Sequence, residues 1–384
     1  MSTTSNPRAV GFATRLKHAR ASGRSLLDLA ESDPSCCGLA WDPTELETIL
    51  SDRRDSHHQP APGGLVEARE AVSSYLAGRG ASVPPDRVFL ALSRNEAYLL
   101  LLKLLCGPDD EVLVASPSYP FLERLADSES VRVGRYALIY DGEWRLDRKS
   151  LRKAIRRRTR ALVVGNPSDP TGAVLSRDDL AFVEGLCSTT GIALIGDEAF
   201  ADTALAPSAT VAEVRQCLAV HVSGLSGVCG LPRFAEWLAV AGPDELVGPA
   251  LSRLELLADV QVSLSDRLQL ALPALLARRE PFLNALRARL AENRSSLATA
   301  ALREAPWSLQ WGRGGCWAVL QIGGAEEEES LCLALLEDGV AVQPGFFHGL
   351  PRYGYLTVSL LPTPQIFGEG LARLDRRLRA PLSG

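Results

Sequence analysis

The sequence predicts an α/β fold, in which a large domain with a mostly parallel sheet flanked by helices precedes a smaller α+β domain. Continuous apolar runs at 160–165 and 192–196 have the pattern of strands buried on both faces of a parallel sheet. The helical pattern at 180–190 lies between these runs and supplies the crossover of a βαβ unit. After about residue 245 long helical patterns replace this alternation, which indicates a second domain.

The other elements of the large domain precede this unit. We predict a helix at 65–77 after the turn PAPGG, a strand at 87–92, an apolar helix at 96–105 and a strand at 111–115 that ends at SPSYP. Such alternation places ligands at the C-terminal ends of the strands.

The smaller domain is predicted from the second half of the chain. Its helices are expected at 249–257, 266–277, 280–304, 327–337 and 364–379, and its strands at 316–322, 340–343 and 355–360. We predict three parts: an N-terminal segment, 1–45, that packs with the small domain; the large domain, 46–250; and a helical connection with the small domain, 251–384.

Composition limits the classes of partner. A net charge of −5 and an isoelectric point near 5.7 argue against nucleic acids and anionic membranes as partners. No apolar run is long enough for a membrane span, and the polar start MSTTSNP does not resemble a signal peptide. The eight cysteines form no CxxC pair, which is typical of free thiols in a reducing cytoplasm. We therefore expect a cytoplasmic protein.

Five motifs occur in an order that resembles one enzyme family. They are LDLAESDP at 27–34, GLVEAREAV at 64–72, NPSDPTG at 166–172, DEAF at 197–200 and VHVSGLSGVCGLP at 220–232. Together they resemble the class I and II aminotransferases, which are fold-type I enzymes dependent on pyridoxal phosphate (PLP). The resemblance implies an aspartate aminotransferase-like fold, a small amino-acid or amine-derived substrate, and a homodimer with active sites at the subunit interface.

The resemblance also implies roles for residues around the cofactor. The matching positions are Ser93, Arg94 and Asn95 for the phosphate, Tyr119 for stacking on the pyridine ring, Asn166 for the 3-oxygen, Asp197 for the ring nitrogen, and Ser223 and Ser226 in the SxxS segment. A helix N-terminus such as the one that begins after Ser93 favours an anion. Asp197 follows an apolar strand, and a buried carboxylate is costly unless a partner satisfies it.

The departures from the family pattern are concentrated at the same place. Gly227 stands where the family has the lysine that forms the Schiff base, and all four lysines of the chain lie upstream of it. The basic residue expected after GLP to hold the phosphate is replaced near Ala235 and Glu236. His58 occupies the place of a tyrosine that reaches the phosphate, and Thr357 that of the arginine that takes the substrate carboxylate. Arg94 is larger than the usual small residue, so it either pairs with a phosphate or fills its space.

Three functional interpretations remain open. In the first, the protein is an enzyme that has lost the internal aldimine. It uses non-covalent PLP, pyridoxamine phosphate (PMP) or an adduct, or else PLP-independent acid–base chemistry with Asp197, Tyr119, His58 or His221 as candidate groups. Alternatively, it is a catalytically inactive binding or regulatory protein. In the third interpretation it is an ordinary aminotransferase with an engineered lysine-to-glycine substitution. A general acid or base contributes roughly 10²–10⁴ in rate, so standard transamination is not expected with Gly227.

Overall fold

The structure, a computed structural model, describes residues 7–23, 25–51, 61–260, 264–303, 305–323, 328–350 and 354–379. Its strands are β1 (Leu27–Asp28), β2 (Val88–Ala91), β3 (Glu111–Ser116), β4 (Arg132–Tyr140), β5 (Trp144–Leu146), β6 (Thr159–Gly165), β7 (Ala193–Asp197), β8 (Ala219–Gly224), β9 (Glu236–Ala241), β10 (Trp307–Gln310), β11 (Trp317–Ile322), β12 (Val340–Ala341), β13 (Gln343–Pro344) and β14 (Tyr355–Ser359).

Its α-helices are α1 (Pro7–Ala21), α2 (Pro43–Leu50), α3 (Val66–Gly78), α4 (Arg94–Leu105), α5 (Leu122–Ser128), α6 (Arg148–Ala154), α7 (Arg177–Thr190), α8 (Leu225–Val228), α9 (Asp244–Val260), α10 (Asp266–Ala277), α11 (Glu280–Ala301), α12 (Glu328–Glu337) and α13 (Pro364–Arg379). No helix in the described ranges combines the length and the apolar character needed to cross a membrane.

An eight-stranded sheet forms the centre of the large domain, with the strand order β2-β9-β8-β7-β6-β3-β4-β5. The five strands from β8 to β4 in this order run parallel, whereas β9 is antiparallel to both of its neighbours and β5 to β4. The predicted α/β fold with a mostly parallel sheet is therefore confirmed.

Apolar side chains cover both faces of this sheet. On one face Val220, Val222 and Leu238 pack with residues of α4, α5 and α9. On the other face Leu162 and Leu194 pack with α6 and α7, while the β2–β9 end packs with α3 and α10. Burial on both faces explains why the parallel strands read as continuous apolar runs rather than as an alternating pattern.

The second half of the chain forms a separate antiparallel sheet, in the order β10-β11-β14-β13. Helices α11, α12 and α13 pack with it in a core that also contains Phe12 of α1 and Leu29. The short strand β1 pairs in parallel with β12 of this domain. These are the contacts expected of an N-terminal segment that packs with the small domain, although the domain boundaries themselves stay a prediction.

Candidate functional site

The candidate site lies where β6, β7 and β8 end. Asn166 directly follows β6, Asp197 is the last residue of β7, and Ser223 lies near the end of β8. The β6–β7 register pairs Gly165 with Asp197, so the ends of these strands lie at the same edge of the sheet. This is the edge at which ligands bind in parallel α/β folds. Arg94, the first residue of α4, reaches the same edge.

The carboxylate of Asp197 is already paired by the chain's own side chains. Its Oδ2 atom accepts a hydrogen bond from Arg94 Nε at 2.8 Å and from the Tyr98 hydroxyl at 2.9 Å, and Nη2 of Arg94 also donates to it. Asp197 is 5 % exposed, whereas the Arg94 side chain is 30 % exposed. Burial and the charge of Asp197 raise the pKa of Tyr98, so its hydroxyl stays protonated and donates.

Aromatic rings hold the guanidinium of Arg94 in this position. Its central carbon lies 5.0 Å from the centroid of Phe121, a cation–π distance. The Phe121 ring in turn meets Tyr98 edge to face at 4.9 Å. This arrangement differs from both alternatives considered for Arg94. Its side chain pairs with Asp197, the carboxylate that the resemblance expects to hold the ring nitrogen.

Gly227 lies in the short helix α8 and is buried. A Cβ atom at this position would lie 1.6 Å from the carbonyl oxygen of Ala199 and 2.6 Å from its carbonyl carbon. Both are backbone atoms directly after the motif residues Asp197 and Glu198, so they cannot rotate away as a side chain would. No lysine fits at position 227 on this backbone.

A buried carboxyl group stands beside the SxxS segment, near the position at which the resemblance leads one to expect a basic residue for the phosphate. Glu236 is 1 % exposed, lies within hydrogen-bonding reach of Ser226, and pairs with Gly224 in the β8–β9 register. Burial raises the pKa of Glu236 to about 7, against a smaller lowering by Ser226 and by the charge of Arg94. Its Oε2 atom has no hydrogen-bond partner among the described residues. Arg233 is exposed and does not take the place of the missing cation.

Other predicted site residues have local structural partners. Asn166 uses its amide on the backbone: Nδ2 donates to Ala209 at 2.7 Å and Oδ1 accepts from Leu175 at 2.9 Å. Ser93 caps α4 by accepting from the backbone of Glu96 at 3.2 Å. Asn95 is exposed in the first turn. Their roles toward a cofactor stay predictions.

Three further predicted residues differ in their surroundings. Tyr119 is 52 % exposed and stacks on Phe121 with the ring centroids 6.1 Å apart, so it lies next to the Arg94 cluster. Ser223 is buried, and its hydroxyl has no partner among the described residues. His58 lies outside the described residues.

Asp169 is a functional candidate that the motif comparison overlooked. With Phe200, Cys316 and Trp317 it lines a narrow crevice between the NPSDPTG loop and the small domain. Burial raises the pKa of Asp169 to about 7, and its Oδ1 atom has no partner in the described part of the chain. The signal was present in the sequence, since the family motif NPNNPTG has an amide where this chain has a carboxyl group.

His348 is a second residue that the sequence did not single out. Its buried ring lies 6.0 Å from Tyr119 and 5.9 Å from Trp317, between the centroids, and its Nε2 atom lies 2.9 Å from Oε1 of Gln343. Burial lowers its pKa to about 3, so the ring is neutral at physiological pH. His348 lies in the small domain and outside the five family motifs, so no sequence motif indicated it.

The residues present do not fit PLP as the family holds it. No lysine fits at Gly227, and Asp197 is already neutralised by Arg94. A carboxyl group, Glu236, lies beside Ser226, near the position where the resemblance requires a cation for the phosphate. Desolvated charges of like sign cost free energy when brought together. The edge of the sheet therefore combines an ion pair with three buried or half-buried carboxyl groups: Asp169, Glu198 and Glu236.

Comparisons with known proteins agree with the fold and the motif order. The family described as "Aminotransferase class I and II" matches residues 26–366. A probable aminotransferase of Arabidopsis thaliana is 24 % identical over 92 % of this chain and 82 % of its own length. Human tyrosine aminotransferase is 30 % identical over 47 % of this chain and 40 % of its own length.

Solved structures give the same fold. An alanine aminotransferase from Pyrococcus furiosus superimposes with a TM-score of 0.87 at 22 % identity, covering 98 % of this chain and 99 % of that one. A single mutant of Thermus thermophilus aspartate aminotransferase gives a TM-score of 0.83 at 22 % identity, covering 98 % and 97 %. With the family match over most of its length, the chain belongs to the class I and II aminotransferases.

Proposed function

We propose that this protein uses the aminotransferase pocket to bind a small amine-containing, amino-acid-derived metabolite without PLP, and that its chemistry is acid–base. The observation that carries the proposal is the ion pair between Arg94 and Asp197. In a PLP enzyme this carboxylate stabilises the protonated ring nitrogen, which makes the ring an electron sink. Here the chain supplies the cation itself, so the carboxylate needs no cofactor.

The charge of the pocket supports an amine as ligand. Asp169, Glu198 and Glu236 have pKa values raised to about 7, in each case mainly by burial. An ammonium group placed near Asp169 and Glu236, the two that are close enough to feel the charge of Arg94, would favour their ionised forms and would satisfy oxygens that now lack a partner. Glu198 instead accepts from the backbone of Val211 and lies 3.6 Å from Nε2 of His221. The relatives are named as aminotransferases of amino acids, which supports an amino-acid-derived substrate.

Proton transfer is the chemistry that such groups support. A general acid or base works best when its pKa lies near the working pH. Asp169 meets that condition and is half-buried at the crevice, so it is the group we assign to proton transfer. Arg94 would orient a negative or carbonyl oxygen of the substrate, and Tyr119 would contact it at the pocket mouth. Asp197, which the sequence analysis placed among the catalytic residues, is assigned the role of fixing Arg94.

A binding protein without catalysis is the second candidate. It is favoured by the internal pairing of the site, because Arg94 and Tyr98 both direct donors at Asp197. The engineered-aminotransferase alternative is disfavoured by the Ala199 carbonyl at position 227. Non-covalent PLP or PMP is less well supported than no cofactor. The homodimer and the cytoplasmic location carry over from the family and the composition as expectations.

The test is an absorbance titration with PLP and PMP, followed by borohydride reduction and peptide mapping. We expect no saturable change, and any reduced adduct should map to Lys17, Lys103, Lys149 or Lys153, not to the pocket. Saturable binding in the micromolar range with a new absorption band would overturn the proposal. A thermal-shift screen of amines then supplies a ligand. Turnover of that ligand by the wild type but not by Asp169→Asn would support the enzyme, and binding without turnover the second candidate.

A further inference from the structure

The segment 145–160 is strongly basic in an otherwise acidic protein. It contains nine arginine and lysine residues and a single acidic residue, Asp147, whereas the whole chain has a net charge of −5. The carboxylate of Asp147 caps α6 by accepting from the backbone of Lys149 and Ser150 at 3.0 and 2.9 Å. Its charge is therefore engaged at the helix start.

Four of these cations line one groove on the surface. The groove, of about 470 Å³, is lined by Arg148, Lys149, Arg152, Lys153 and Phe182, and we call it the basic groove. It shares no lining residue with the crevice at Asp169. Its volume falls in the range of small-molecule sites.

The two guanidinium groups of the groove are held in place. The central carbons of Arg148 and Arg152 lie 5.1 and 4.9 Å from the ring centroid of Phe182. Arg148 is fixed further by Asp179, whose Oδ1 accepts from Nε at 2.9 Å and from Nη2 at 2.7 Å. Because both guanidinium groups are held in place before a ligand arrives, less conformational entropy is lost on binding.

Unlike Arg148, the other three cations of the basic groove have no acidic partner among the described residues. In the described ranges no acidic side chain lies within ion-pair distance of Lys149, Arg152 or Lys153, although many other arginines of the chain form such pairs. Like charges gathered without counter-charges repel one another, and an anion of several adjacent charges relieves this repulsion. The planar guanidinium group of arginine can donate two parallel hydrogen bonds to phosphate oxygens, and the ammonium group of lysine adds a compact positive charge.

We propose that the basic groove is a binding site for a small polyphosphorylated anion. The phosphate groups contact the side chains of Lys149, Arg152 and Lys153, and Phe182 keeps the arginine forks aligned. The site stands apart from the amine pocket and does not depend on the function proposed above.

The experiment is a calorimetric titration of the full chain with inorganic tripolyphosphate at about 0.15 M salt, where long-range attraction is largely screened. We expect saturable one-to-one binding. The double substitution Lys149→Gln/Lys153→Gln should weaken it at least about ten-fold. The matched control Arg15→Gln/Lys17→Gln removes two exposed cations from α1 and should bind like the wild type. Lys149→Arg/Lys153→Arg should retain binding, and circular dichroism should show all variants folded.

Three outcomes would overturn the proposal. The first is absence of saturable binding of tripolyphosphate to the folded wild type. The second is an equal loss of affinity in both glutamine double variants, which would indicate general electrostatic attraction. The third is tighter binding of polyglutamate than of tripolyphosphate, which would indicate an acidic protein segment as the partner. Weaker binding of sulfate than of tripolyphosphate would support the proposal of a polyphosphate site, because sulfate offers fewer adjacent charges.

Discussion

Arg94 Nε and Asp197 Oδ2 lie 2.8 Å apart, although 103 residues separate them in the chain. The pair joins the start of α4 to the end of β7, at the edge of the sheet where the resemblance places the cofactor. Because Asp197 is buried, its charge requires a partner, and Arg94 meets that requirement with two donors to one oxygen. Any ligand of this pocket must either displace Arg94 or bind beside it.

Breaking this pair from either side should destabilise the protein. Removal of one partner of a buried pair costs about 3–5 kcal/mol. Because the Arg94 side chain is 30 % exposed, we expect a smaller loss, roughly 1–3 kcal/mol, in the free energy of unfolding of Arg94→Ala. Urea unfolding of Arg94→Ala, Asp197→Asn and the double variant measures it. The double variant should lose less than the sum of the singles; strict additivity would show that the two residues do not interact.

Much of the fold was predictable from local pattern. The predicted helices at 266–277 and 364–379 match α10 and α13 residue for residue, because their amphipathic periodicity ends at clear boundaries. Strand β4 was not predicted, since its residues are mostly half-buried or exposed and give no apolar run. The predicted strand at 340–343 is divided into two short strands, β12 and β13, which pair with different partners.

The sequence predicted which positions form the candidate site, but not the contacts between their side chains. The sequence placed Asp197 at the end of an apolar strand and identified Ser223 and Ser226 in the SxxS segment, because those signals are local in sequence. The partners of Asp197 were not predictable, since Arg94 and Tyr98 reach it from about a hundred residues away. In the same way, the position of Glu236 beside Ser226 depends on the β8–β9 register rather than on any motif.

Substitution of Gly227 should be harmful whatever residue replaces it. A Cβ atom would overlap the Ala199 carbonyl oxygen at 1.6 Å, so Gly227→Ala should lower the free energy of unfolding by about 1–3 kcal/mol, as overpacking does. The matched control is Gly185→Ala in α7, where a Cβ meets nothing within 4 Å. It should be stabilising by about 0.5–1 kcal/mol. Gly227→Lys should form no reducible PLP adduct at position 227; a fully stable variant that transaminates would contradict this account.

The buried carboxyl group of Glu236 should make stability depend on pH. Its pKa is raised by burial from an ordinary value of 4.5 to about 7, so the folded state binds the proton more tightly than the unfolded state. Its stabilising contribution is complete below pH 4.5 and is lost as the pH rises through 7. Relative to Glu236→Gln, the wild type should therefore lose up to about 3 kcal/mol between pH 4.5 and pH 8. Urea unfolding at both pH values measures this difference, and parallel curves for the two proteins would refute it.

His348 should have the opposite dependence. Burial lowers its pKa from 6.5 to about 3, so the folded state binds fewer protons than the unfolded state. The contribution of the neutral ring is complete above pH 6.5 and is lost as the pH falls toward 3. Glutamine keeps a donor for Oε1 of Gln343, so His348→Gln should fold and should remove this dependence. Between pH 6.5 and pH 4.5 the wild type should lose about 2–3 kcal/mol more than the variant; an equal loss would place the acid sensitivity elsewhere.

The pocket should bind an amine more tightly than the amino acid that differs from that amine by a carboxylate. The resemblance places Thr357 where the family has the arginine that takes the substrate carboxylate; Thr357 is fully buried, and its hydroxyl has no partner among the described residues. In the proposed pocket the ionised forms of Asp169 and Glu236 repel a carboxylate and attract an ammonium group. Thermal-shift titrations should therefore show a larger stabilisation by tyramine than by tyrosine and by cadaverine than by lysine. Asp169→Asn should reduce the shift with both amines, whereas Asp109→Asn, which changes an exposed carboxylate, should leave it unchanged. Equal or larger shifts with the amino acids would mean that another cation of the pocket, with Arg94 the first to test, takes the carboxylate.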